Sequence, residues 1–139
     1  MTRYRHRLLP HTADLMVEVR GKDLPDLCAA GVLALFSLLT DRRSVRQADS
    51  RVLAAEAPSP EDRFFFLLRE ALLLFEVDRF LVRRAHGTME GNRVALTVRG
   101  EPADPSRHAF GREIKAVTRH ALTVAKRPGG FAARFVVDV

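Results

Sequence analysis

Phe80-Leu81-Val82-Arg83-Arg84-Ala85-His86, the turn Met89-Glu90-Gly91-Asn92, and Arg93-Val94-Ala95-Leu96-Thr97-Val98-Arg99 together decide the fold class. Two β-rich runs flank a Gly-Asn turn, which is the signature of a hairpin. Hairpin-linked strands pair antiparallel, so these residues argue against a doubly wound parallel sheet.

The same pattern continues toward the C-terminus. Glu101 to Phe110 is a polar loop with two prolines. Ile114 to Val124 alternates, with Ile114, Ala116, Thr118, His120, Leu122 and Val124 on one face. Arg127-Pro128-Gly129-Gly130 is a turn. Phe131 to Val139 alternates again as a last strand.

Toward the N-terminus the period changes. Leu15, Val17 and Val19 alternate with Met16, Glu18 and Arg20 as a half-buried strand that ends at Gly21. Asp23 caps a helix predicted over 24–39, with Pro25 in the first turn and Leu27, Ala30, Gly31, Ala34, Leu35 and Leu38 at helical spacing. Arg51–Ala57 reads as a strand. Ser59 and Pro60 start a second helix, whose stripe is Phe64, Leu67, Leu68, Ala71, Leu72 and Phe75. Phe65, Phe66, Leu73 and Leu74 widen that stripe, so the helix is covered on more than one side. The class is therefore α+β, one domain over residues 1–139, with a hint of a duplicated strand–helix–strand unit.

Bulk properties narrow the function classes. A chain of 139 residues can bury one core without staples. The single Cys28 excludes a disulfide framework within the chain and a multi-cysteine zinc site; its helical spacing makes it a small core residue. No stretch is apolar for long enough to span a bilayer, and the charged start lacks the apolar run of a signal peptide, so a cytoplasmic location is expected. The net charge is +6, nearly all of the positive side being arginine. The arginines are scattered as Arg42-Arg43, Arg83-Arg84 and single positions, which reads as a solvated surface rather than a nucleic-acid footprint. There is no P-loop, dinucleotide fingerprint or nucleophile elbow.

The remaining chemistry lies at strand ends. "PHTAD" (residues 10–14) places His11, Thr12 and Asp14 at the mouth of the first strand, and Asp138 ends the last. If the two strands are neighbours, both carboxylates and the carboxyl group of Val139 converge. Such oxygens repel one another unless protonated or bound to a hard cation. The alternatives are an Asx-turn at Asp14 and a frayed terminus at Asp138. His11 either ligates a metal or orients Asp14, or packs as a loop residue. Lys115 and Glu113 fall on the strand face opposite His120, and His120 reads as a core histidine. The segment Glu101 to His108 either binds a ligand or is a loop built on its prolines.

These stretches resemble the archease family: "PHTAD" before an alternating strand, "GKDLPDLCAAGVLALFSLLTD", "GEPADPSRHAFGREIKAVTRHALTV" and the ending "VVDV", in the family's order. Two features depart from relatives. Phe66-Leu67-Leu68-Arg69-Glu70-Ala71 stands where they usually carry a Trp and an Asn, and the basic balance contrasts with their frequent acidity. The resemblance implies a barrel-like, closed or nearly closed antiparallel sheet with two helices. It implies a divalent-metal site at Asp14 and Asp138 with a main-chain oxygen from Val139, the ion being Ca²⁺, with Mg²⁺ or Mn²⁺ as alternatives. His11, Thr12, Lys115 and His120 are the supporting or partner-binding candidates. The implied role is accessory rather than enzymatic: an activator of an RtcB-type RNA-splicing ligase, which uses GTP and Mn²⁺ and passes through a guanylylated histidine in tRNA splicing. Contact with tRNA or other broken RNA would be indirect, with no membrane partner. A stand-alone metal-dependent hydrolase and an RNA-binding or chaperone-like module are the competing classes.

Overall fold

Two antiparallel sheets hold the chain. The computed structural model describes residues 3–8 and 14–139. In chain order the elements are β1 (Arg3–Leu8), β2 (Asp14–Gly21), α1 (Leu24–Leu39), a 3-10 turn (Arg42–Ser44), β3 (Asp49–Glu56), α2 (Pro60–Asp78), β4 (Phe80–Glu90), β5 (Arg93–Pro102), β6 (Ala116–Arg127) and β7 (Gly130–Asp138). One sheet has the order β1-β2-β7-β6 and the other β3-β5-β4. The α+β class holds. The barrel-like arrangement holds loosely: the described strands form two sheets, of four and three, rather than one closed barrel. The two strand–helix–strand units also differ in placement: β2-α1-β3 crosses from one sheet to the other, whereas β3-α2-β4 stays within one.

Helix α1 starts and stops as its sequence dictates. The Asp23 side chain accepts from the Asp26 N–H at 2.8 Å, and Asp26 in turn accepts from the Lys22 N–H. The predicted stripe understates its burial, because α1 packs against β2, β4 and α2 and is buried on nearly every side. Small residues allow that approach: a Cβ on Gly31 would lie 2.9 Å from the Phe64 ring of α2. Cys28 is 1% exposed, and burial pushes its thiol up to about 12, so it is an inert core residue. On α2, Ser59 accepts from the Asp62 N–H. Arg63 is buried, with its guanidinium donating to the carbonyls of Ala57 and Pro58 and to Asn92 Oδ1, which ties the helix start to the β4–β5 turn.

The core-facing residues of β2 and β7 are Leu15, Val17, Val19, Phe135 and Val137, all at most 1% exposed. These two strands occupy the centre of the four-stranded sheet, with β1 and β6 as its edges. No described helix is long and apolar enough to cross a membrane.

Candidate functional site

The register of β2 against β7 places Asp14 directly opposite Asp138. Residues facing each other across an antiparallel pair share one side of the sheet, with Cβ atoms about 5 Å apart. Both carboxylates lie on the side opposite Leu15 and Val137, and both residues are half-buried. Met16 and Val136, next along that side, are themselves paired and buried, so the carboxylates stand beside an apolar patch. The position is fixed by the core pattern: slipping either strand by one residue would turn its core face outward. The neighbouring Lys115 N–H donates to the main-chain oxygen of Asp138 at 2.8 Å, which closes the end of the sheet toward β6.

Two like charges held opposite each other are unfavourable in isolation. A hard cation with oxygen bonds of about 2.4 Å spans such a gap and reverses the sign of the interaction. Among the described residues no third His, Cys, Asp or Glu completes a group with this pair. The donor set is therefore all oxygen and incomplete. It fits an open site for Ca²⁺, Mg²⁺ or Mn²⁺, with the remaining ligands from Val139, water or a partner, and it does not fit a closed cage.

The sequence matches the family model described as Archease protein family (MTH1598/TM1083) over residues 6–139, a span that contains this strand pair. The chain belongs to the archease family. An archease of Methanopyrus kandleri is 33% identical over 135 residues, covering 94% of this chain and 96% of the relative. One of Thermococcus gammatolerans is 32% identical over 144 residues, covering the whole of both. The solution structure of Methanobacterium thermoautotrophicum protein 1598 aligns with a TM-score of 0.82 at 22% identity, covering 98% of each chain. The crystal structure of a Thermotoga maritima archease, titled a possible chaperone, aligns at 0.68 and 21% identity, covering 97% of this chain and 98% of that one. These two structures speak for the fold alone.

The other candidates of this archease family member fall in different places. His11 and Thr12 lie outside the described residues. His120 is exposed, which corrects its reading as a core histidine. The reason is a bulge. Thr118 pairs with Val136 and Thr123 with Arg134, so four residues of β6 oppose the single Phe135. Three extra residues reverse the alternation, and Ala121 takes a left-handed conformation at φ 55°. Val117 before the bulge, Leu122 at its end and Val124 after it face the core, while His120 is carried outward. Arg119, in the same bulge, lies 4.2 Å over the Phe65 ring and pairs with Asp62 at 2.6 Å, pinning the bulge to α2. Lys115 precedes β6 rather than lying in it and is exposed, bordering a shallow cleft with Arg69, Glu70 and Glu76 of α2.

The end of β5 and the loop after it form an internal network, with Glu101 still paired in the strand. Glu101, 7% exposed, accepts from the Arg46 N–H at 2.7 Å, from the Arg107 guanidinium and from His108 Nε2 at 3.1 Å. The Asp104 N–H donates to His108 Nδ1 at 2.8 Å, which leaves the ring proton on Nε2, toward Glu101. Burial alone would push the Glu101 carboxyl up; the Arg46 N–H, Arg107 and His108 outweigh it and hold it below the usual range. The polar side chains of this loop serve one another. Among described residues, sequence reasoning had no signal for that pairing, because Arg46 and Glu101 are 55 positions apart.

Proposed function

We propose that this protein is the activator of an RtcB-type RNA-splicing ligase, promoting guanylylation of the ligase histidine and repeated turnover, and that it is not itself an enzyme. The observation that carries the reading is the Asp14–Asp138 pairing on the two central strands. A divalent cation, Ca²⁺ in the first instance, would supply a positive charge that phosphate or carboxylate oxygens of a partner can share. Asp14, Asp138 and the Val139 main-chain oxygen would hold it. The β2–β7 ladder keeps the two carboxylates at a fixed separation, so this tip can present charge to a ligase cleft without rearranging. Lys115, exposed beside Asp138, is the nearest candidate for a contact with the ligase. Membership in the archease family supports an accessory role.

The test mixes the purified chain with a cognate ligase, GTP, Mn²⁺ and excess broken RNA, scoring turnovers and histidine guanylylation. Turnover should rise from about one to many. Asp14→Ala and Asp138→Ala proteins that remain folded should lose that stimulation. Normal activation by either variant would refute the carboxylate tip. Metal-dependent hydrolysis by the isolated chain would point instead to an enzyme.

A further inference from the structure

Arg42-Arg43 and Arg83-Arg84 are far apart in sequence, yet the fold brings them together. The 3-10 turn after α1 packs against β4, and the Arg42 Nη1 donates to the Arg83 carbonyl at 2.7 Å. Its Nε donates to Ser37 Oγ at 2.9 Å. The two contacts use only part of a guanidinium that carries five N–H groups. Arg42 and Arg83 are half-buried and line a cleft of about 490 Å³.

Charge in this cleft is unbalanced. No described carboxylate forms an ion pair with Arg42, Arg83 or Arg84. Asp41 also lines the cleft, but Arg43 holds it through Nε at 3.0 Å and Nη2 at 2.9 Å. Asp41 also feels Arg83, but one carboxylate among Arg42, Arg43 and Arg83 leaves the cleft net positive. Arg63, the other arginine drawn into the interior, is different: carbonyl and amide oxygens surround it and it serves the fold. Burial lowers the pKa of Arg42, and so do the neighbouring Arg83 and Arg84, against an opposing contribution from Tyr4.

Two rings border the same cleft. Tyr4 is 38% exposed and stacked on His6 with ring centroids 5.9 Å apart and planes 15° from parallel; Phe110 is 43% exposed. Arginine forks suit phosphate oxygens, and exposed flat rings suit nucleobases. A carboxylate-bearing peptide would use the arginines but leave the rings without a role.

We propose that this cleft binds a nucleoside phosphate, with Arg42 and Arg83 on the phosphate and the exposed Tyr4 ring available to the base. The nucleotide can be free or part of single-stranded RNA. Neither Asp14 nor Asp138 lines the cleft, so the inference stands or falls independently of the ligase reading.

The test is fluorescence anisotropy of the full chain with labelled oligouridylate, competed by AMP, inorganic phosphate or a glutamate-rich peptide. Arg83→Gln is the informative variant, because the Arg83 side chain makes no hydrogen bond within the described fold, and its carbonyl, which holds Arg42, is retained. At about 50 mM salt it should weaken RNA binding about tenfold and reduce the salt slope by about 1. Tyr4→Ser should weaken RNA and AMP while sparing competition by inorganic phosphate. Arg127→Gln, at the exposed end of β6, should change neither. Competition by AMP assigns the site to a single nucleotide; RNA binding that loses to Arg83→Gln without AMP competition assigns it to a strand. Equal losses in Arg83→Gln and Arg127→Gln, no binding of either RNA or AMP, or competition by the acidic peptide as strong as by AMP would overturn the proposal.

Discussion

At the end of β5 the Glu101 carboxylate accepts from a backbone N–H, an arginine and a histidine. At the end of β7 the Asp138 carboxylate faces another carboxylate, Asp14, across the ladder. Among the described residues no Arg, Lys or His forms an ion pair with Asp138. Both acids sit at strand ends, but of the two only Glu101 has an ion-pair partner among the described residues. Glu101 joins three segments: the strand it ends, the residues after the 3-10 turn, and the 104–108 turn. It is there for stability. The Asp14–Asp138 pair is set by a register that the core imposes, which holds two carboxylates on one side of the sheet.

Removing Glu101 should show the largest effect. Glu101→Ala leaves His108, fully buried at its side chain, and the Arg46 N–H without their acceptor. Arg107 is 30% exposed and recovers water, so the cost should be about 3 kcal/mol, or a fall of about 10 °C in Tm. A loss below about 1 kcal/mol in a denaturant titration would mean that the network is not structural, and the loop would return as a binding candidate.

The sign of the pH dependence sharpens the contrast. The Glu101 carboxyl is held below its ordinary value. Its contribution is therefore complete above the unfolded pKa of about 4.3 and is lost as pH falls through the folded value. The stability gap between the parent chain and Glu101→Gln, about 2 kcal/mol near neutrality, should shrink steadily below about pH 4. A gap that stays constant to pH 3 would sink the assignment of Glu101 as the charged centre of the network.

What could be read from sequence follows from how local its cause is. Helix α1 was legible to the residue because Asp23, Pro25 and an uninterrupted apolar run are local signals. Asp14 and Asp138 stood out because each is a carboxylate beside an alternating apolar strand, and the topology then placed those strands side by side. Strand β1 went unread. It is an edge strand in which arginines alternate with Tyr4, His6 and Leu8, all exposed, so no apolar face marks it. The β6 bulge was equally silent: Ala121 in a left-handed conformation has no residue signature, and the phase reversal it causes moved His120 to the surface. The Glu101 network and the Arg42–Arg83 cleft depend on long-range contacts that no window of sequence contains.

The smallest effect belongs to the aspartate pair, and its direction is the discriminating feature. Asp138→Asn removes one of two opposed charges and keeps the shape, so with chelator present it should stabilise the chain by about 0.5 kcal/mol. Added Ca²⁺ should reverse the ranking. At about ten times its Kd a bound ion stabilises the parent by about 1.4 kcal/mol, and the variant with one carboxylate should gain little. Thermal unfolding of both proteins in EDTA and in a Ca²⁺ series, repeated with Mg²⁺ and Mn²⁺, reads both terms. If Asp138→Asn is destabilising in chelator, the charge is already compensated by the fold and resembles Glu101. If instead the order inverts between EDTA and one divalent ion, the two carboxylate sites differ in kind: one completed by the chain, the other by a ligand.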